Sequence, residues 1–180
     1  MNQTWKLRVQ EPISAVLALA EELKIPPFAA QLLLQKGIST RAEAVRFFKP
    51  EQHSLHDPFL MRNMSSAVLR LAQAITKQEK VLLYGDYDVD GTTAVALMAE
   101  QLALLGLQCA YYIPDRYKEG YGVSKKGIDY AHANGTTLII SLDCGIKSTD
   151  LIRYALDQGI EFIICDHHMP DPILPPAIAI

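Results

Sequence analysis

Residues 81–91 read VLLYGDYDVDG, an apolar run that passes directly into three aspartates at alternate positions and a glycine. Five residues rich in leucine, valine and tyrosine predict a short strand with both faces buried. The apolar run TTAVALMAEQLALL (92–105), which Gly106 terminates, predicts a helix after the acidic residues. The stretch therefore predicts a strand, an acidic loop and a helix in direct succession.

The chain after this stretch repeats the alternation of strand and helix. Further strands are predicted at CAYYI (109–113), TLIISL (137–142) and EFIIC (161–165), and further helices at SKKGIDYAHANG (124–135) and STDLIRYALDQG (148–159). Because short strands separated by helices imply right-handed crossovers, we predict an α/β fold with a parallel sheet flanked by helices. The closing PPAIAI (175–180) has the composition of a fifth strand that nothing follows, so we expect a sheet truncated at its carboxyl end.

A helical pattern fills the chain before residue 80. A proline pair opens a predicted helix over FAAQLLLQK (28–36), and Ser39-Thr40 offers a cap to RAEAVRFF (41–48). Residues 64–78 predict an amphipathic helix. Its apolar stripe is predicted to comprise Val68, Leu71, Ala72 and Ile75.

These two patterns divide the chain into a helical amino-terminal segment, residues 1–79, and a sheet-containing domain, residues 80–180. Charge follows the same division. The whole chain has a formal net charge of −3, but residues 1–80 sum to +4 and residues 81–180 to −7. The acidic part would repel phosphate unless a cation were bound within it.

Composition predicts a folded protein without a membrane partner. The 180 residues are 49% hydrophobic and 21% charged, as is typical of globular chains. No apolar run reaches the ~18 residues that a membrane span needs, and the first residues lack the apolar core of a secretory signal. Three separated cysteines without a CxxC pair are predicted to be buried packing groups, which favours a reducing, cytoplasmic location.

Three of the predicted strands end in potential metal ligands. These are Asp86, Asp88 and Asp90 after the first strand, Asp143 after the third, and Asp166, His167 and His168 after the fourth. Because the carboxyl ends of parallel strands share one edge, we expect these groups to converge. Two carboxylates ~5 Å apart repel by roughly 3 kcal/mol at an effective dielectric of ~20. The cluster therefore predicts two divalent ions, with Mn²⁺ better suited than Mg²⁺ to mixed carboxylate and imidazole ligands.

The same residue types also occur in other kinds of site. The aspartate triplet also opens a calcium-binding EF-hand loop, but that loop needs a glutamate where this chain has Leu97. Asp90 or Thr92 would also serve as an ordinary helix cap. Residues 115–122 mix cations, aromatics and glycines, so Arg116 and Lys118 would hold phosphate while Tyr117 or Tyr121 stacks on a base. A plain surface loop is an equal alternative for that segment.

Taken together, these motifs resemble the DHH phosphoesterase superfamily. Its namesake motif matches Asp166-His167-His168, its first motif matches Asp86-x-Asp88-x-Asp90-Gly91, and its second matches Asp143. Within the superfamily the chain is similar to the RecJ-type exonucleases in YGDYDVDGTTA (84–94), PDRYKEGYGVS (114–124) and SLDCGI (141–146). The resemblance implies that residues 80–180 are an incomplete DHH phosphoesterase domain and that the chain is an amino-terminal fragment.

The resemblance also implies a role for each site residue. Metal ligands are expected at Asp86, Asp88, Asp90, Asp143 and His167. The expected catalytic residues are Asp143, His167 and His168, with Asp166 behind them to orient a histidine. Tyr84 stands where some relatives have a further histidine ligand. Substrate contacts are expected from Arg116, Lys118, Tyr121, Gly122 and His168.

The function that the resemblance implies is 5′-to-3′ hydrolysis of single-stranded DNA in recombination and repair, with two Mn²⁺ or Mg²⁺ ions as cofactors. One alternative is an oligoribonuclease or cyclic-dinucleotide phosphodiesterase of the same superfamily. Another is a catalytically silent replication scaffold. The helical segment before residue 80 favours the exonuclease, because the smaller relatives begin close to the first motif.

Overall fold

The computed structural model describes residues 10–50 and 55–180. Residues 1–9 and 51–54 of the predicted helical amino-terminal segment lie outside the described residues. The chain falls into two compact units, Met1–Asp57 and Pro58–Ile180. The predicted boundary at residue 80 stays a prediction.

The described part of the first unit contains three helices. They are α1 (Ile13–Leu23), α2 (Pro27–Gln35) and α3 (Arg41–Phe48). Pro27 occupies the first turn of α2, and Thr40 caps α3 in a reciprocal capping box with Glu43, as the sequence pattern indicates. The α1 helix is an addition to the predicted elements. The three helices share a small apolar core that includes Val16, Leu19, Ala30, Leu33 and Ala44.

Four strands of the second unit form one parallel sheet in the order β2-β1-β3-β4. Their bounds are β1 Val81–Gly85, β2 Ala110–Tyr112, β3 Leu138–Leu142 and β4 Glu161–Cys165. Every residue of β1 and β3 is buried, which explains why their sequences are continuously apolar rather than alternating. The predicted α/β fold with a parallel sheet is confirmed.

Helices cover both faces of this sheet. They are α4 (Met64–Lys77), α5 (Val89–Leu104), α6 (Lys125–Ala133) and α7 (Thr149–Asp157), and a short 3₁₀ turn at Pro58–Leu60 precedes them. Residues of α6 and α7 share a core with the sheet face that carries Tyr84 and Phe162. Residues of α4 and α5 share a core with the opposite face, which carries Leu83 and Ile140. In this three-layer arrangement the helical layers cover the two faces, and the edge formed by the carboxyl ends of the strands is left for the predicted site residues.

The buried face of α4 agrees with the predicted stripe only in part, since Leu71 and Ile75 are half-buried against the core but the other two residues are not. Val68 is 42% exposed, and Ala72 is also exposed. The helix instead turns Arg70 and Ala74 inward, with exposed fractions of 8% and 0%. The reason is an ion-pair network: Arg70 Nε lies 2.6 Å from Glu161 Oε2, and its Nη2 lies 2.7 Å from Glu79 Oε2. A paired arginine therefore occupies a position that a hydrophobicity pattern assigns to solvent.

In place of the predicted fifth strand, the last residues of the chain form one isolated β-bridge beside β4. The backbone N–H of Ile178 donates to the Phe162 oxygen at 2.9 Å, and that of Ile164 donates to the Ala179 oxygen at 2.9 Å. Ile163 and Ala179 form the single parallel bridge. This contact covers part of the outer edge of β4.

The three cysteines differ in their exposure to solvent. Cys144 is buried and Cys109 half-buried, but Cys165 is exposed because it ends β4 at the open edge of the sheet. The prediction that every cysteine is buried is therefore wrong for Cys165. In the described parts of the chain, no helix is long and apolar enough to cross a membrane.

Candidate active site

The register of the sheet brings the acidic strand ends into one row. Gly85 pairs with Leu142 and Leu142 with Cys165, the last residues of β1, β3 and β4. The row consists of the residues that follow them, Asp86, Asp143 and Asp166. The strand order reverses between β1 and β3, the position at which open α/β sheets bind ligands.

Asp143, His167 and His168 form a close group in which one potential ligand atom of each lies within 4.8 Å of the others. His167 Nε2 is 3.1 Å from Asp143 Oδ1. The Asp143 side chain is 9% exposed and that of His167 is 76% exposed, so a shielded carboxylate faces an open imidazole. Asp143 also adopts a left-handed backbone with φ 61°, a conformation that aspartate tolerates and that is common at functional sites.

The buried carboxylate of Asp166 organises the turn behind the histidines. Its side chain is 1% exposed. Oδ1 accepts the backbone N–H of His168 at 3.0 Å and lies 2.7 Å from His168 Nδ1, while Oδ2 accepts the N–H of Ile146 at 3.0 Å. Burial opposes ionisation, but these hydrogen bonds outweigh it and lower the pKa of Asp166. In return, the hydrogen bond that its ring makes to the Asp166 carboxylate raises the pKa of His168.

Asp86 lies at the end of β1 with an exposed fraction of only 1%. Its Oδ1 atom has no hydrogen-bond partner among the described residues. A Cβ on Gly91 would lie 2.5 Å from the backbone N and O of Asp86, so glycine allows the first turn of α5 to approach this closely. An unpartnered buried carboxylate oxygen is unfavourable unless a cation lies against it.

Asp88 caps α5, which begins at Val89 rather than at the predicted residue 92. Asp88 Oδ1 accepts the N–H of Gly91 at 3.0 Å. The alternative in which Asp90 or Thr92 caps the helix is therefore wrong, because Asp90 lies within the first turn. Capping uses one oxygen of Asp88, so the other is left for a further contact.

The acidic groups influence one another. Burial raises the pKa of Asp143, and the charges of Asp88 and Asp90 raise it further, against the opposing effect of the two histidines. The carboxylates of the first motif therefore act on Asp143 even though they lie outside its close group with the histidines. Such crowding disfavours full ionisation and favours a bound cation.

The segment 115–122 lies over this edge of the sheet. The guanidinium carbon of Arg116 is 5.2 Å from the ring centroid of Tyr87, while Lys118 Nζ pairs with Asp115 Oδ2 at 3.3 Å. The Tyr121 hydroxyl lies 3.1 Å and 3.2 Å from the ring nitrogens of His168 and donates to the Asp143 carbonyl at 3.3 Å. The segment therefore contacts the candidate ligand group directly through Tyr121.

The buried Tyr84 side chain contacts Gly122, the last residue of this segment. The Tyr84 hydroxyl donates to the Gly122 carbonyl at 3.1 Å, and Gly122 has φ 81°, which suits glycine. Tyr84 is 0% exposed, and burial raises its pKa to about 12. Tyr84 thus supports the 115–122 segment from within the core.

Two cavities flank the histidine pair, each with a cation that the motifs did not indicate. A cavity of about 430 Å³ is lined by residues that include Tyr121, Lys147 and His168. Another of about 520 Å³ is lined by residues that include Arg62, Asp143 and His167. Arg62 lies in DPFLMRNM (57–64) and Lys147 directly follows SLDCGI (141–146), but neither residue is a metal-ligand type, so the sequence pattern predicted no role for them.

Comparison with known families identifies the sheet-containing part of the chain. Residues 80–180 match the DHH family, N-terminal domain. The chain belongs to the DHH family. The matched range contains all four strands, the aspartate row, both histidines and the 115–122 segment, whereas Arg62 lies before it.

Curated relatives of this DHH chain share one name, single-stranded-DNA-specific exonuclease RecJ. The Bacillus subtilis protein is 41% identical over 165 residues, which cover 92% of this chain and 21% of the relative. The Escherichia coli protein is 34% identical over 186 residues, which cover 100% of this chain and 30% of the relative. The chain thus spans less than a third of the length of these relatives.

Solved structures agree with the DHH assignment. RecJ from Thermus thermophilus in complex with Mn²⁺ has a TM-score of 0.67 at 25% identity, covering 94% of this chain and 23% of that chain. An exonuclease RecJ bound to manganese has a TM-score of 0.59 at 35% identity, covering 64% of this chain and 30% of that chain. The DHH fold and the likeness to RecJ proteins therefore rest on both sequence and structure.

Proposed function

We propose that this chain is the catalytic amino-terminal part of a metal-dependent exonuclease that hydrolyses single-stranded DNA from its 5′ end during recombination and repair. The observation that carries the proposal is the close group of Asp143, His167 and His168, with ligand atoms within 4.8 Å. Asp143 of this group lies in the same row as Asp86, at the edge where such sheets bind ligands. The names of the relatives support single-stranded DNA as the substrate.

The residues present fit divalent ions. Asp86 offers a buried oxygen without a partner among the described residues, and burial disfavours the charge of Asp143 in the absence of a cation. Carboxylates combined with an imidazole suit Mn²⁺, and Mg²⁺ less well. The proposed ligands of two such ions are Asp86, Asp88, Asp90, Asp143 and His167. When bound, divalent ions stabilise negative charge on phosphate oxygens and lower the pKa of coordinated water.

The protein groups around these ligands have roles of their own. Asp166 fixes the ring of His168 and raises its pKa, so His168 is suited to donate an N–H to a non-bridging oxygen of the scissile phosphate. Arg116, Lys118 and Tyr121 lie on the segment that covers the site, with Gly122 as its flexible turn. They are proposed to hold the sugar-phosphate chain and the bases.

The decisive experiment uses the full-length protein with Mn²⁺ on three 5′-labelled substrates: single-stranded DNA, duplex DNA and a short RNA. EDTA and Asp143→Ala serve as negative controls. Asp129→Ala is the matched control, because Asp129 is an exposed carboxylate that contacts Lys125 and Tyr154 on the helical layer. Degradation of single-stranded DNA alone, lost with EDTA and Asp143→Ala but retained with Asp129→Ala, is the expected result.

Other results would redirect the proposal. Cleavage of the short RNA alone would favour the oligoribonuclease alternative and leave the metal site in place. Mn²⁺ binding without any cleavage would favour the replication scaffold.

We also infer a boundary near residue 80 between the helical segment and the DHH domain. We further infer a cytoplasmic location, because that is the setting in which such an enzyme meets DNA.

A further inference from the structure

The connection between β2 and α6 folds around the side chain of Glu119, which is only 6% exposed. Its Oε2 accepts the hydroxyl of Tyr112 at 2.8 Å and the hydroxyl of Ser124 at 2.7 Å. Its Oε1 accepts the backbone N–H of Asp115 at 3.1 Å and lies 3.7 Å from Lys126 Nζ. One buried carboxylate therefore makes three hydrogen bonds and an ion pair.

These donors belong to both ends of the connection. Tyr112 is the last residue of β2, and Ser124 caps α6 by accepting the N–H of Gly127 at 3.0 Å. The backbone N–H of Ser124 also donates to the Tyr84 hydroxyl at 3.0 Å, which links the connection to the central strand β1. Glu119 thereby closes the connection into a loop fixed to the sheet.

The residues on either side of Glu119 face the site or the solvent. Arg116 lies over the ring of Tyr87 in the first acidic motif, and the Tyr121 hydroxyl contacts His168. Lys118 has an exposed side chain. Glu119 points inward between these groups, so its hydrogen bonds set the distance between the loop and the aspartate row.

We propose that Glu119 is a positioning residue for substrate, which holds Arg116, Lys118 and Tyr121 over the candidate metal centre. This inference rests on the proposed function, because it deepens the role of the same site. Glu119 hydrogen-bonds to Tyr112, Asp115 and Ser124 and to none of the five proposed metal ligands, so its loss is expected to disturb substrate binding while those ligands keep their places. The expected signature is a raised KM with little change in kcat.

A purely structural role for Glu119 predicts a different pattern, and Glu79 provides the matched control. Its side chain is 15% exposed, and it accepts Arg70 Nη2 at 2.7 Å and the Thr137 hydroxyl at 2.7 Å. Thr137 and Glu79 lie at the amino ends of the strands, away from the aspartate row. Glu79→Gln therefore weakens a comparable network without approaching the site.

The experiment compares Glu119→Gln and Glu79→Gln in the full-length protein with Mn²⁺ and single-stranded DNA. A glutamine that keeps its oxygen on the Asp115 N–H turns its NH₂ group toward the two hydroxyls, which must then reverse from donors to acceptors, and it also loses the negative charge that pairs with Lys126. We expect Glu119→Gln to raise KM about tenfold while kcat stays within about twofold, as for loss of a hydrogen bond to a charged group. Glu79→Gln is expected to leave KM unchanged.

Limited trypsin digestion gives a second measurement that does not depend on activity. Arg116 and Lys118 are cleavage sites within the loop, so Glu119→Gln and the milder Tyr112→Phe should accelerate cutting there, whereas Glu79→Gln should not. Equal KM values and equal digestion for the Glu119 and Glu79 variants would overturn the inference. If the wild-type protein does not degrade single-stranded DNA, the proposed function is refuted. The trypsin digestion then still decides whether Glu119 holds the loop in place.

Discussion

At the scale of single residues, the Asp143 carboxylate is held where its charge is unfavourable without a cation. Burial and the charge of Asp88 raise the pKa of the Asp143 carboxyl in the folded state above its unfolded value. The protonated carboxyl therefore favours folding at low pH, and its ionisation opposes folding as pH rises. Asp143→Asn should therefore not lower the melting temperature in EDTA at neutral pH, but should abolish stabilisation by Mn²⁺. Thermal melts with and without Mn²⁺ measure both effects. A large loss of stability in EDTA would contradict this account.

The Asp166–His168 pair gives the site a pH dependence with a definite sign. The pKa of Asp166 is lowered, so its contribution to the free energy of unfolding is lost as pH falls through the folded-state pKa. The pKa of His168 is raised, so its contribution to the free energy of unfolding is lost as pH rises through the folded-state pKa. Asp166→Asn should therefore destabilise the protein more at about pH 6 than at about pH 9. Urea midpoints of both proteins at these two values provide the test. An equal loss at both pH values would show that the ion pair contributes nothing.

At the scale of elements, the junction of β1 and α5 depends on Gly91. Helix propensity alone predicts that Gly91→Ala stabilises the protein by about 1 kcal/mol. A Cβ there would lie 2.5 Å from the Asp86 backbone, so we expect destabilisation by about 1–3 kcal/mol instead and weaker Mn²⁺ binding. Urea denaturation gives the sign. The exposed Ala96→Gly in the same helix is the control, and it should cost about 1 kcal/mol by propensity alone.

The elements also show where sequence is informative. Continuous apolar runs predicted β1 and β3, because both faces of a parallel strand are buried. The convergence of the strand-end aspartates followed from topology alone. The face of α4 was predicted only in part: Leu71 and Ile75 pack against the core, but the burial of Arg70 depends on carboxylates at positions 79 and 161, and such pairing leaves no local pattern. The Glu119 network was missed for a different reason: its partners lie within seven residues, but in a connection that has neither the periodicity of a strand nor that of a helix.

At the scale of the whole molecule, the family match and the compact units begin at different residues. The DHH match starts at residue 80, whereas the second unit starts at Pro58 and includes α4. Ala74 of α4 is 0% exposed in the core that covers Leu83 and Ile140, and Arg70 joins the helix to Glu161. The helix thus completes one of the two apolar layers that a parallel sheet requires.

A pair of truncations tests which boundary defines the folding unit. Residues 58–180 should give a cooperative unfolding transition. Residues 80–180 keep α5 but lose α4, so part of one apolar sheet face should be exposed and the fragment should lose cooperativity or aggregate. Circular dichroism during thermal melting and size-exclusion chromatography measure the two outcomes. Arg70→Met in residues 58–180 separates the ion-pair network from apolar cover: it should lower the midpoint while leaving the transition cooperative. If residues 80–180 melt cooperatively with the same midpoint as residues 58–180, then α4 is dispensable and the folding unit coincides with the family match.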